Sequence, residues 1–299
     1  VGLRDGLQNQ PVHVPLEGKV RLERALRAAG IRAIELTSFV SPKAVPQLAD
    51  AADLLAAVGE APDMEYSVLV PNAKGYERAL ASGASTIALV ISASETMNRK
   101  NINMGTQQVL DVAAEVIARA KTDGVRAKAY VAVAFECPFE GPTNPAYVAE
   151  IVEQLLAKGA DEIVIADTIG AANPKAVRSM LEMLVASHGA ARFAVHFHDT
   201  RAMALANAYA ALEAGVRRFD SSIGGLGGCP FAPGASGNVA TEDLVFMLES
   251  CGFRTGIDLD RLQEAVRVAE ELINSRLGGR IASYLAGRRQ RHDRRPARE

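Results

Sequence analysis

The run Val195-His-Phe-His-Asp-Thr200 sets His196 and His198 two residues apart inside a short apolar, β-prone stretch. Alternate side chains of a strand share a face, so both imidazoles point one way while Val195 and Phe197 point the other. Two imidazoles so placed can grip a metal ion. One such pair is thin evidence, since a lone histidine in an apolar strand is more often a satisfied core residue. Its weight comes from groups that other segments can bring to it: the Arg4-Asp5 pair, and Cys229 and Asn238 in a single glycine-rich loop. Asp5, His196, His198 and Asn238 offer two oxygens and two nitrogens. That set, free of thiolate, favours Mg²⁺ or Mn²⁺ with positions open to substrate over structural zinc.

The elements that must position these groups follow from periodicity. β-like apolar runs are expected at 1–4, 33–37, 65–70, 86–91, 127–134, 162–166, 193–198 and 218–222, with helical patterns between them. In 16–29, Leu22, Ala25, Leu26 and Ala29 share a face; in 106–122, Val109, Ala113, Val116 and Ala120 do. Gly30, Gly83, Gly124, Gly159 and Gly215 stand where a helix should stop and the next strand begin. Strands alternating with helices in this way predict an α/β (β/α)8 TIM barrel with a C-terminal helical extension. An open doubly wound sheet would carry a glycine-rich nucleotide turn after its first strand, and Arg4-Asp-Gly-Leu-Gln-Asn9 is not one. Barrel chemistry gathers at the C-terminal strand ends, where Asp5, Glu35, Asp167, His196 and His198 are expected to meet. The loop from Gly224 to Asn238 is long and glycine-rich, in the manner of a binding lid, and lacks the Lys-Ser/Thr ending of a phosphate loop. A thiol at Cys229 on such a lid could reach substrate; Cys137 and Cys251 have no comparable setting and are expected to be structural.

Composition is that of an ordinary globular chain: 299 residues, 48% hydrophobic, 23% charged, formal net charge −2. No global field favours nucleic acid or an anionic membrane. No apolar run approaches the ~20 residues that span a bilayer. The basic tail 287–299 is expected to be solvated. One catalytic domain over 1–299 is expected, the barrel over about 1–250 and a helical appendage, with a helix at 258–277, plus the tail over about 251–299. Three cysteines suit a reducing compartment, so a cytoplasmic setting is expected. The chain opens on Val1 as if mid-strand, so a few upstream residues, and any targeting segment, are expected to precede it.

The motifs Arg4-Asp-Gly-Leu-Gln-Asn9, Ile34-Glu-Leu-Thr-Ser-Phe-Val-Ser-Pro-Lys43, Asn101-Ile-Asn103, Cys137-Pro-Phe-Glu-Gly141, Asp167-Thr-Ile-Gly170, His196-Phe-His-Asp-Thr200 and Gly225 to Asn238 resemble the 3-hydroxy-3-methylglutaryl-CoA lyase family. They run in order up to about Leu259, and the cysteine-bearing glycine loop is the specific part. The resemblance implies cleavage of that acyl-CoA to acetyl-CoA and acetoacetate, with a divalent cation on Asp5, His196, His198 and Asn238. It makes Arg4, Asp5, Glu35, Asp167, His196 and Cys229 catalytic or substrate-ordering. It implies CoA contacts from Arg99, Lys100 and Asn101, on the loop after the fourth strand, and an assembly of two or four copies. After His-Asp-Thr the family usually continues Tyr-Gly-Gln; here Arg201-Ala-Met203 stands, a change expected to reshape the acyl pocket and to admit a bulkier 3-hydroxy-3-alkylglutaryl-CoA as the alternative substrate. Condensing synthases of the isopropylmalate type carry a Glu after Arg-Asp-Gly, whereas Leu7 stands here.

Overall fold

The structure, a computed structural model, describes residues 1–228 and 237–293. Its main sheet has seven strands, each hydrogen-bonded to the next in chain order: β1 Ala33–Ser38, β2 Glu65–Leu69, β3 Thr86–Ser92, β4 Arg126–Ala132, β5 Glu162–Asp167, β6 Phe193–Phe197 and β7 Phe219–Asp220. All six pairings are parallel. Parallel neighbours require a crossover, and helices supply it: after α1 Leu16–Ala28, which leads into β1, come α2 Ala51–Val58, α3 Ala73–Ala81, α4 Glu95–Ile102, α5 Thr106–Thr122, α6 Pro145–Ala157, α7 Pro174–His188 and α8 Ala204–Glu213 between strands, with α9 Thr241–Ser250 following β7. This curled α/β layer is the TIM-barrel architecture that the alternation of elements predicts. At Gly30 the helix-to-strand break needs glycine twice over. Its φ is +101°, and a β-carbon there would lie 2.4 Å from the Gly256 carbonyl oxygen.

One expected strand is absent. Residues 1–4 do not join the sheet; Gly2–Gly6 instead forms a π-helical turn, closed by Asp5 and Gly6 N–H donating to the Val1 carbonyl at 2.9 and 3.2 Å. The turn lies against β1 and is tied towards β7 by the Val1 nitrogen, which donates to the Ser221 carbonyl at 2.8 Å. The physical reason is visible in its side chains. Consecutive residues of a strand point to opposite faces, but a helical turn lets Arg4 and Asp5 face one another, and their side chains pair at 2.8 Å.

Strand alternation divides inside from outside. Phe193, Val195 and Phe197 of β6 pack outward into the large core formed with the helices, beside Val68, Ile87, Leu89, Ile91, Val116 and Ile151. Ala88, Tyr130, Val164 and Ala194 make a small cluster of their own. The small alanines there leave room for polar groups. Beyond α9, α10 spans Leu259–Ile273, its first turn capped by the Asp258 carboxylate accepting from Asp260 and Arg261 N–H. Leu262 and Val266 on it pack with Leu22 and Leu26 of α1. After α10, α11 covers Arg280–Asp293, anchored where Asp243 accepts the N–H groups of Arg280 and Ile281 at 2.8 and 2.7 Å. No helix among the described residues is long and apolar enough to cross a membrane.

Candidate active site

Three donors converge as the spacing suggests. Ligand atoms of Asp5, His196 and His198 lie within 4.8 Å of one another, and all three residues are buried. His196 lies on β6, and His198 follows just past its end, bridged antiparallel to Asn238. That backbone pairing, with Val239 N–H on the Phe197 carbonyl and Asp199 N–H on the Gly237 carbonyl, carries the far stem of the glycine loop into the site. Asn238 donates through its amide nitrogen to Asp5 Oδ2 at 2.8 Å and to the Leu226 carbonyl at 3.1 Å. It therefore braces the carboxylate here; only its amide oxygen could serve a cation, and a half-turn of the amide exchanges the two atoms.

Arg4 is clamped between two carboxylates. Its Nη1 donates to Asp5 Oδ1 at 2.8 Å and its Nε to Glu35 Oε2 at 2.7 Å. Glu35 sits on β1 at a register shift against β2, the kind of irregularity that re-aims a side chain. Its second oxygen, Oε1, is buried without a hydrogen-bond partner. Burial pushes the Glu35 carboxyl up, against the opposing pull of Arg4. Asp5 also loses solvation, yet Arg4, the two imidazoles and the Asn238 amide outweigh that loss and hold its carboxyl below the usual range. His198, desolvated and beside His196, has its imidazole brought down to about 4. It is therefore neutral at pH 7, the form that a metal ligand requires.

A divalent cation fits these residues. His198 Nδ1 is a buried polar atom with no hydrogen-bond partner, and Nε2 stands 3.8 Å from Asp5 Oδ2, beyond hydrogen-bonding distance. Neutral imidazole and ionised carboxylate, with no thiolate among the three, suit an Mg²⁺-like or Mn²⁺-like ion.

The other expected residues fall less uniformly. Asp167, at the end of β5, is buried, and burial raises its carboxyl pKa; both its oxygens accept backbone N–H groups, Ala171 at 2.8 Å and Ala172 at 2.9 Å. It shapes the following loop and is engaged by the main chain. Arg99, Lys100 and Asn101 are on helix α4 and not on a loop, because Ser94 caps that helix by accepting the Met97 N–H. Arg99 pairs with Glu95 at 2.7 Å, and the Lys100 ammonium stands 4.9 Å over the Phe139 ring. Arg201 donates to the carbonyls of Ile169 and Gly170 at 3.3 and 3.0 Å, so it fastens the loop after β5. Cys229 lies outside the described residues. Cys137 is buried against Ser94 Oγ at 3.0 Å, whereas Cys251, expected to be structural as well, is exposed at the end of α9.

Two groups escaped the sequence reading. Asp220 of β7, in register with His196, accepts from Tyr130 OH at 2.7 Å and lies 3.1 Å from His196 Nδ1. Desolvation works against its charge, but His196 and Tyr130 hold its carboxyl down to about 2. The available signal was an acidic residue inside a segment expected to be a strand. Glu242, the second, is fully buried on α9, and burial lifts its carboxyl to about 7; it accepts the Gly224 N–H at 3.0 Å, tying the first turn of α9 to the near stem of the glycine loop.

A parallel barrel with a carboxylate–imidazole cluster and a buried guanidinium towards its C-terminal strand ends has the layout of a barrel enzyme's active site. Comparison with known proteins narrows this. The HMGL-like family model matches residues 1–269, and the chain belongs to that family. It is 44% identical over 282 residues to the mitochondrial hydroxymethylglutaryl-CoA lyase of Bos taurus, covering 94% of this chain and 87% of that one. The crystal structure of hydroxymethylglutaryl-CoA lyase from Pseudomonas aeruginosa superposes with a TM-score of 0.92 at 39% identity, over 96% of each chain. An HMG-CoA lyase from Acinetobacter baumannii, solved with coenzyme A and 3-methylmalate, gives 0.90 at 40% identity, over 94% of this chain and 92% of that one.

Proposed function

We propose that the chain cleaves 3-hydroxy-3-methylglutaryl-CoA to acetyl-CoA and acetoacetate, with Asp5, His196 and His198, joined by Asn238, holding a divalent cation. The observation that carries the reading is the convergence of those three donors beside the Arg4–Glu35 pair. When bound, such a cation supplies Lewis acidity that lowers the pKa of a tertiary hydroxyl. Asp5 or a histidine of the set takes the hydroxyl proton. The bond between the second and third acyl carbons then breaks, its electron pair passing into a thioester enolate while a ketone forms on the acetoacetate side. Arg4, charged at every accessible pH and already oriented by two carboxylates, stabilises the oxygen on which that charge grows. The Cys229 thiol delivers the proton that the enolate carbon needs. Arg99, Lys100 and Asn101 on α4 serve the CoA moiety.

Acetoacetate release from 3-hydroxy-3-methylglutaryl-CoA, measured with and without EDTA and again after Mg²⁺ or Mn²⁺ is restored, tests this. Turnover that chelation abolishes and metal restores is the expected result. Turnover indifferent to EDTA would remove the cation from the reading, and no acetoacetate at all would remove the reaction.

A further inference from the structure

Resting on the metal reading above, we propose that Asp220, braced by Tyr130, is a positioning residue that fixes His196 with its proton on Nδ1 and its lone pair on Nε2, the nitrogen offered to the cation. Three elements build the arrangement. His196 on β6 and Asp220 on β7 are register partners, so their side chains leave adjacent strands side by side. Tyr130 comes from β4, two strands away from β6, and reaches the same carboxylate oxygen, Oδ2, that faces His196 Nδ1. Its ring also meets the imidazole edge-on, with centroids 6.0 Å apart and planes at 76°.

The donor and acceptor inventory then leaves one assignment. An ionised carboxylate only accepts, so the hydrogen between Asp220 and His196 belongs to Nδ1, and the hydrogen between Asp220 and Tyr130 belongs to the phenol. In the neutral ring, the form a metal ligand requires, Nε2 then keeps the lone pair. A carboxylate behind an imidazole also raises the basicity of the nitrogen opposite, which strengthens it as a ligand. The neighbouring histidine shows that the arrangement is specific to one ring. Among the described residues His198 Nδ1 is buried with no hydrogen-bond partner, and the carboxylate that pairs with its ring, Asp5, faces Nε2 at 3.8 Å. One imidazole of the pair is thus oriented by the fold before any ion arrives, while the other is held through its backbone bridge to Asn238.

Two readouts test the proposal on the full chain. The first is the ring ¹⁵N spectrum of the metal-free protein, with the His196 signals assigned by their loss in His196→Gln. The second is Mn²⁺ affinity, followed by the electron paramagnetic resonance of added MnCl₂. Wild type should show His196 protonated on Nδ1. Asp220→Ala should mix the tautomers and weaken Mn²⁺ binding by about 10- to 100-fold, as loss of such a backing carboxylate does elsewhere. Asp220→Asn, whose amide oxygen can still accept, should keep the tautomer and lose less affinity; Tyr130→Phe should lose less again. A wild-type ring protonated on Nε2 overturns the proposal. So does Mn²⁺ affinity in folded Asp220→Ala or Asp220→Asn equal to that of wild type. Absence of Mn²⁺ binding by wild type would instead overturn the metal reading beneath it.

Discussion

The two ends of the barrel both place charges on the strands, and they treat them differently. At the N-terminal ends, Lys128 of β4 pairs with Glu65 of β2 and, at 3.4 Å, with Glu162 of β5; Arg126 and Arg218 complete these carboxylates from the rim. At the C-terminal ends, the set around Asp5 and His198 keeps two buried atoms without partners, Glu35 Oε1 and His198 Nδ1. Leaving a buried polar atom unpaired costs about 1–3 kcal/mol, so a closed network serves the fold and an open one serves a ligand. The teaching is that charge alone does not mark a site in this barrel. Unspent hydrogen-bonding capacity beside the converging donors is what separates this end from the closed one.

Substitutions can break that contrast. The largest effect is expected at the open end: Arg4→Met, which on the proposed mechanism removes the donor for the developing enolate charge, should lower kcat by about 10²- to 10³-fold or more in the acetoacetate assay. Cys229→Ser should lower turnover by orders of magnitude as well, yet leave Mn²⁺ affinity at the wild-type value. At the closed end the signs reverse. Lys128→Ala leaves buried Glu162 with Arg218 alone and should lower stability by about 1–3 kcal/mol in urea unfolding, while kcat stays near wild type. Equal losses of activity at both ends would erase the distinction.

A pH-dependent effect of similar size sharpens it further. Because burial lifts the Glu242 carboxyl to about 7 in the fold, the protonated form is the one the fold accommodates. Its contribution to stability is present in full below the unfolded value near 4.5 and is lost as pH rises through about 7. The whole span amounts to about 3 kcal/mol. Unfolding free energies of wild type and Glu242→Gln between pH 5 and 8 should therefore diverge, with the amide variant showing the flatter profile. Parallel profiles would mean that the carboxyl stays ionised throughout. Smallest of all, Arg201→Ala, which frees the carbonyls of Ile169 and Gly170 at an exposed position, should cost about 1 kcal/mol or less.

Much of the site was legible before any fold was known. His196 and His198 share a face because a strand repeats every two residues, and β6 obeys that rule up to its last residue. Helix α5 has the expected limits, Thr106–Thr122, because its apolar period is unbroken. What escaped were contacts made across the barrel. Nothing local couples Tyr130 to Asp220, ninety positions away, or Glu242 to Gly224 on the far side of a loop. The opening segment misled for the opposite reason: Val1-Gly-Leu-Arg has local β character, yet its burial beside β1 and the need to aim Arg4 and Asp5 together select a helical turn.

The sequence by itself determined the alternation of strands and helices, the inward parity of the imidazoles and the residue types able to bind a cation. These are properties of neighbours, carried by repeats of two or 3.6 residues along the chain. Closure decided the rest: which carboxylate stands behind which imidazole, which buried oxygens remain unpaired, and whether a charge belongs to the open end or the sealed one. Those depend on distances between strands, and no local period encodes them.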